Sequence, residues 1–241
     1  MIVCIPSKGR TNTKTHELFE SAGYDVYHFV EPHEYDQYNV KNKINIQKSN
    51  QGITYVRNFM LDWCLEKGVE SCWFSDDDIQ GFGIYNGKTV KKDANILKDI
   101  EKVAEKLPFE IYGMNYVQYA WTEKKNYSIN SKWCEVCVLM KVSKIKWRYR
   151  ENTKEDRDFQ MQTIQNGNGV LRFNRLWFSC PSIGANAGGL HEWYAEGNDA
   201  EAAKKMSLQW NPWIKAVNKK GRLDVKADIK GFAKSCGRDV R

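Results

Sequence analysis

The feature that most constrains this chain is the run Cys72-Trp73-Phe74-Ser75, followed at once by Asp76-Asp77-Asp78-Ile79. A short apolar run after a helical pattern reads as a buried strand, and the carboxylates sit where that strand stops. An ionised carboxylate is costly to desolvate without a partner, so adjacent aspartates cannot all be buried unpaired. They face water, backbone N–H donors or a cation. In open α/β sheets, ligands collect outside the carboxyl ends of the strands, which is where this cluster falls. A hard, oxygen-preferring divalent ion, Mg²⁺ or Mn²⁺, fits best, held by one or two carboxylates and by substrate phosphates. The competing reading is a solvated acidic turn.

A chain of 241 residues, 41% hydrophobic and 13% aromatic, can build one large core, with or without appendages. No apolar run approaches the ~20 residues of a membrane span, and Met1-Ile2-Val3-Cys4 does not open a signal peptide. Seven cysteines without a repeating framework point to reduced thiols and a cytoplasmic setting. Cys134-x-x-Cys137 has no second pair at zinc-finger spacing, so both read as buried small hydrophobes. The charge is uneven. Residues 204–241 hold eleven Lys or Arg against three Asp, a surplus of eight that exceeds the whole chain's +7, so residues 1–203 carry a net −1. Such a basic end serves a polyanion partner or is merely a solvated tail.

Taken in order, Ile2-Val3-Cys4-Ile5 reads as a buried strand ended by Pro6, with Ser7-Lys8-Gly9-Arg10 as a polar loop at its carboxyl end. Thr13 or Thr15 can cap a short helix closed by Gly23. Residues 24–30 read as a second strand, followed by Glu31-Pro32-His33-Glu34-Tyr35, completing a βαβ-like unit. Ile53, Val56, Met60, Cys64 and Leu65 recur at helical spacing with Gly68 as a stop, and Arg57 lies near that helix's start, where it can reach a phosphate. Gly81, Gly83 and Gly87 mark a loop, and Asp93 caps a helix carrying Ile96, Leu97, Ile100, Val103, Ala104 and Leu107. Residues 109–114 read as a strand, Tyr116-Val117-Gln118-Tyr119-Ala120-Trp121 as a second, aromatic one, and residues 133–140 as a third. Thr153 is the expected cap of a helix whose first turn holds Glu155, Asp156 and Asp158. A late strand over 170–178 precedes the glycine-rich residues 182–189 and then His191.

This order of parts resembles a nucleotide-sugar-dependent glycosyltransferase of the GT-A fold. The matching features are Ile5-Pro6-Ser7-Lys8-Gly9-Arg10, Arg57-Asn58 on a helix, the Asp76-Asp77-Asp78 strand end, the Glu155-Asp156 pair, and His191 after a glycine-rich loop. The start Ile-Pro-Ser-x-Gly-Arg, the segment Phe29-Val30-Glu31-Pro32 and the element Ser75-Asp76-Asp77-Asp78-Ile79 are similar to the TET-associated glycosyltransferases of bacteriophages. The resemblance implies an α/β, GT-A-like fold: a mixed, mostly parallel sheet flanked by helices, with residues 1–197 as the catalytic domain and 198–241 as a basic extension. It implies transfer of a sugar from a UDP-sugar to 5-hydroxymethylcytosine in double-stranded phage DNA, in the host cytoplasm, with neither a membrane nor an obligatory protein partner. Pro6, Ser7, Arg10, Glu31, Arg57, Asp76 and Asp77 would bind the donor. Asp76, Asp78 and His191 would hold manganese or magnesium. Asp156, beside Glu155, would be the catalytic base. Inversion at the anomeric carbon is the preferred outcome.

Rival readings are a GT-A enzyme acting on a glycan, lipid or protein, since a fold does not fix the acceptor, and a metal-dependent nuclease or nucleotidyltransferase. For a DNA acceptor, Trp210 and Trp213 in the basic end, and Lys144-Ile145-Lys146-Trp147-Arg148-Tyr149-Arg150, offer charge for phosphates and rings for stacking.

Overall fold

The structure, a computed structural model, describes residues 1–181, 196–219 and 221–241. Its centre is a ten-stranded sheet. The strands are β1 (Ile2–Ser7), β2 (Asp25–Val30), β3 (Lys43–Asn45), β4 (Cys72–Ser75), β5 (Gly81–Tyr85), β6 (Val90–Lys92), β7 (Ile111–Tyr116), β8 (Tyr127–Ile129), β9 (Cys137–Met140) and β10 (Val170–Ser179). They lie in the order β3-β2-β1-β4-β9-β7-β10-β5-β6, with β8 also on β10. Seven strands run one way and β5, β8 and β9 run against them. Helices α1 (Lys14–Ser21), α2 (Gly52–Glu66), α3 (Ile96–Lys106), α4 (Val117–Ala120) and α5 (Glu155–Asn166) accompany this sheet. The arrangement is mixed α/β with a mostly parallel central sheet, compatible with the expected GT-A-like fold.

The two faces follow from strand alternation. Val3, Ile5 and Trp73 point to one face and pack with Phe19 of α1 and Leu97 and Ile100 of α3. Cys4, Cys72 and Phe74 point to the other and pack with Met60, Leu61 and Cys64 of α2 and Phe159 of α5. Thr13 caps α1 as expected, its side chain accepting from the His16 N–H.

Residues 198–241 add α6 (Asn198–Gln209), the hairpin β11 (Ile214–Lys219) and β12 (Arg222–Ala227), and α7 (Ile229–Ser235). These pack on the side of α5 that faces away from the sheet: Met161 and Ile164 meet Ala203, Met206, Trp210, Ile214, Val225 and Phe232. Helix α5 is thus buried on two sides, which explains why its sequence lacks a clean apolar stripe.

Several local expectations are corrected. Gly81 and Gly83 lie in β5, not in a loop. A Cβ at Gly83 would stand 1.9 Å from the Lys91 carbonyl oxygen and 2.4 Å from the Trp177 ring, so only glycine lets the strands close over that indole. Residues 117–120 turn into α4 instead of continuing as an aromatic strand. The strand expected over 133–140 shortens to β9, because Val136 takes a positive φ of 67°. Thr153 does not cap α5; its hydroxyl donates to the Arg150 carbonyl, and the helix starts two residues later. Trp210 is buried, so it cannot stack on a base. In the basic 144–150 segment, Ile145 and Tyr149 are core residues, while Arg148 pairs with Asp62 and Arg150 with Asp158. No described helix is long and apolar enough to cross a membrane.

Candidate active site

Because β1 and β4 are parallel neighbours, their carboxyl ends open on the same edge of the sheet. The loop after β1 and the aspartates after β4 therefore meet. Asp77 turns inward, its side chain 8% exposed: it takes a hydrogen bond of 3.0 Å from the Ser7 hydroxyl and pairs with Arg10. Tyr38, from the segment after β2, donates to Ser7 Oγ at 3.1 Å and accepts from the Arg10 N–H at 3.2 Å. Glu34 accepts from the Gly9 N–H at 2.7 Å. These contacts fix the loop. Asp76 and Asp78 keep more of their side chains in the open, 34% and 28%, with Arg10 reaching Asp78 at 3.9 Å.

Arg57 projects from the first turns of α2 and joins two distant pieces of chain. One guanidinium nitrogen donates to Asp76 at 2.8 Å, the other to Glu155 at 2.9 Å. It lies 5.6 Å above the Tyr149 ring, which stacks on Phe159 at 4.0 Å. Asn58 bonds both backbone groups of Tyr149, at 3.0 and 2.8 Å, and so locks α2 to the strap before α5. The first turn of α5 supplies Glu155 and Asp156, where the helix dipole favours acids. Asp156 lines a cavity of about 20 Å³ together with Pro6, Arg57, Asp76, Glu135 and Tyr149.

The electrostatics reflect crowding. Burial pushes Asp77 up to about 6 against the pull of Arg10. Asp78 also rises to about 6, through burial and the neighbouring Asp76 and Asp77. Asp76 is raised by burial although Arg57 draws it down. Glu155 reaches about 7, with burial first and Asp156 adding repulsion against Arg57.

Of the expected site residues, the structure brings together Pro6, Ser7, Arg10, Arg57, Asp76, Asp77, Asp78, Glu155 and Asp156. Glu31 follows β2, with Lys8 and His33 each 3.4 Å from its carboxylate. It is buried, and its Oε2 has no hydrogen bond. His191 falls outside the described residues. The sequence reading missed Tyr38, Tyr149 and Glu135. Glu135 is buried in the chamber, pairs with Arg157 and accepts from Tyr116 at 3.2 Å. Its signal was an acid between two apolar cysteines, Cys134-Glu135-Val136-Cys137.

Among the described residues, one group of metal-ligating side chains converges closely: Cys4, Cys64 and Cys72. These thiols are buried in the core between α2 and the sheet.

A family model for the TET-Associated Glycosyltransferase matches residues 1–189. The chain belongs to the TET-associated glycosyltransferase family. This TET-associated glycosyltransferase is therefore an enzyme that transfers sugars, and its family points to a nucleotide-sugar donor. No curated protein matches its sequence. Among solved structures it is similar to A197 from STIV, at 15% identity and a TM-score of 0.45, over 73% of this chain and 83% of that one.

Proposed function

We propose that the enzyme moves a sugar from a UDP-sugar onto the hydroxymethyl group of 5-hydroxymethylcytosine in DNA, in a divalent-metal-dependent, inverting reaction. The observation that carries this reading is the convergence on Arg57 of Asp76 and Glu155, with Asp156 lining the same cavity. A strand end that faces a nucleotide diphosphate thereby meets a helix end that can face the acceptor.

The residues fit a cation. Asp76, Asp77, Asp78, Glu135, Glu155 and Asp156 crowd around Arg10, Arg57 and Arg157, so negative charge exceeds positive. The Asp78 carboxyl is raised first by burial, and the neighbouring Asp76 and Asp77 charges add to it. Asp76 and Asp78, the more exposed pair, would hold Mn²⁺ or Mg²⁺. When bound, the ion offsets charge that grows on the diphosphate as the glycosidic bond breaks. Glu31 Oε2, which makes no hydrogen bond and has His33 Nδ1 at 3.4 Å, can accept from an N–H or O–H of the nucleotide.

Asp156 takes the proton of the acceptor hydroxyl as its oxygen attacks the anomeric carbon; the bond from that carbon to the diphosphate oxygen breaks, and UDP leaves with the electron pair. Attack from the face opposite UDP inverts the centre. Arg57 holds Glu155 and Asp76 in register, so the base helix and the donor-side strand end keep their separation.

The test is incubation with a panel of UDP-sugars and DNA with or without hydroxymethylcytosine, followed by nucleoside mass spectrometry. The expected result is a hexose mass gain on hydroxymethylcytosine, dependent on divalent metal. UDP release with every donor but no gain on DNA would assign the acceptor elsewhere.

A further inference from the structure

The segment that turned into α4 carries an unexplained feature. Tyr119 is 54% exposed and Trp121 is 59% exposed. Lys124 and Lys125, next along the chain, are exposed as well. Single exposed aromatics are ordinary. Two of the largest side chains within three residues, flanked by paired lysines, are not an ordinary surface.

The segment is also built to hold these rings outward. The Thr122 hydroxyl and N–H both return to the Tyr119 carbonyl, at 2.8 and 3.1 Å, closing the turn. Glu123 is clamped by Arg172 at 2.8 Å and Lys132 at 3.1 Å. Asn174 of β10 donates to the Lys125 carbonyl from its side-chain amide at 3.1 Å and to the Asn126 carbonyl from its backbone N–H at 2.8 Å. The backbone is therefore fixed while the rings face solvent.

Its place relative to the reaction follows from register. Phe74 pairs with Val138 of β9, and Val138 with Gly113 of β7. Three residues beyond Gly113 bring β7 to its end at Tyr116, and two beyond Phe74 bring β4 to Asp76, so α4 starts on the edge where the aspartates sit. Two strand spacings separate them, roughly 10 Å. A side-chain path connects them too: Tyr116 bonds Glu135 of the chamber at 3.2 Å, and its ring meets Tyr119 at 6.4 Å, edge to face.

We propose that Tyr119 and Trp121 form a stacking platform for an unpaired base of the acceptor strand, with Lys124 and Lys125 engaging its phosphates. The occupant is chosen by charge and shape together: rings supply a sequence-tolerant surface for bases, and lysines neutralise the backbone. A substituent on a paired base lies in the groove, and a base drawn out of the stack needs a surface to lie against. The inference rests on the DNA reading above, and assigns the acceptor side of the site to α4 and the lysines that follow it.

The experiment measures affinity for a fluorescent single-stranded oligonucleotide containing hydroxymethylcytosine, as a function of salt. It compares the full chain with Tyr119→Ala, Trp121→Ala, Trp121→Phe and Lys124→Ala/Lys125→Ala, with circular dichroism melts as the fold control. Each alanine at a ring should weaken binding by about 5- to 150-fold with the salt slope kept, and Trp121→Phe should recover most of it. The double lysine variant should flatten the log–log slope by about 0.7 for each phosphate lost. If the wild type binds DNA and both ring variants bind it equally well, the platform is wrong and the DNA reading stands. If the wild type neither binds nor modifies DNA, both fall together. A raised KM for the UDP-sugar with unchanged DNA affinity would place the rings on the donor side and overturn the proposal.

Discussion

Around Arg57 the chain gathers Asp76, Glu155 and Asp156 into a part-buried chamber, whereas among the described residues of 198–241 it exposes its lysines and buries Trp210 and Phe232. Aspartates behave in opposite ways in the two places. In the chamber, burial and like charge push Asp77 and Asp78 up to about 6. In the C-terminal layer, burial again acts to raise Asp199 and Asp224, but cations win. Arg222 and Lys154 hold Asp199 below its usual range, and Lys219 and Arg157 do the same for Asp224. The C-terminal acids are neutralised and stabilise the fold. The chamber acids are left with an excess of charge, which costs stability and leaves capacity for a ligand.

The largest expected effect that tests this contrast is chemical. Asp156→Asn keeps the shape of the proposed base but cannot take a proton, so turnover should fall by ~10²–10⁴ with donor affinity little changed. Near-normal turnover in steady-state assays would move the base elsewhere. Next comes Arg57→Met, which leaves Asp76 and Glu155 facing each other without their cation. Breaking a buried charge network of this kind should cost about 3–5 kcal/mol in denaturant unfolding, and a loss below about 1 kcal/mol would mean that water screens the chamber. Trp210→Phe keeps a ring in the C-terminal core but removes the 2.7 Å donor to buried Asp158, for an expected loss of about 1–3 kcal/mol.

A smaller effect reads the chamber's excess charge through pH. Asp78, raised in the folded state, binds more protons folded than unfolded between its ordinary range and about 6. Stability therefore falls as pH rises through that window. His28, held down to about 4 by burial and by His16, acts in the opposite sense below its ordinary value, so the carboxylate is isolated by comparing wild type with Asp78→Asn. The variant should be more stable by about 1 kcal/mol at pH 7.5, with the gap narrowing through the window and closing below about pH 4. Mn²⁺ should raise the Tm of wild type and not of the variant. A gap that stays constant with pH would remove the crowding argument. The smallest effect belongs to the exposed pair Lys204–Glu201, 2.7 Å apart: Lys204→Ala should change stability by less than about 0.5 kcal/mol.

What could be read from the sequence divides along the same line. Strands β1, β4 and β10, and helices α2 and α3, carry apolar periods and were legible, and α1 was legible from its Thr13 cap and Gly23 stop. The three-residue strands β3, β6 and β8 are too short to hold a period, and β5 was hidden by glycines that a close-packed Trp177 requires. Val117-Gln118-Tyr119-Ala120-Trp121 has β-forming side chains yet turns helical, because tertiary anchors at Glu123 and Asn174 outweigh local preference. In the site, Asp76, Asp77, Asp78, Arg57 and the Glu155-Asp156 pair stood out as charge beside apolar runs. Tyr38 and Tyr149 did not, since their importance lies in partners far along the chain, Ser7 and Asn58. The rings of Trp210 and Tyr149 misled the nucleic-acid reading, because composition cannot tell a buried aromatic from an exposed one.

Asp158 gives the C-terminal layer a consequence for motion. This fully buried carboxylate sits one turn along α5 from Glu155 and accepts from Arg150, Gln162 and Trp210. Arg157 beside it reaches Asp224 of the hairpin at 2.9 Å. Detaching the layer would strip a donor from Asp158 and uncover Met161 and Ile164 on the back of α5. In native-state hydrogen exchange, the amides of α5 and of α6 should therefore exchange with a common opening free energy, as one cooperative unit. The helix that presents Asp156 would then be as rigid as the basic layer behind it, and a cut after Gly197 would loosen the reacting end of the enzyme.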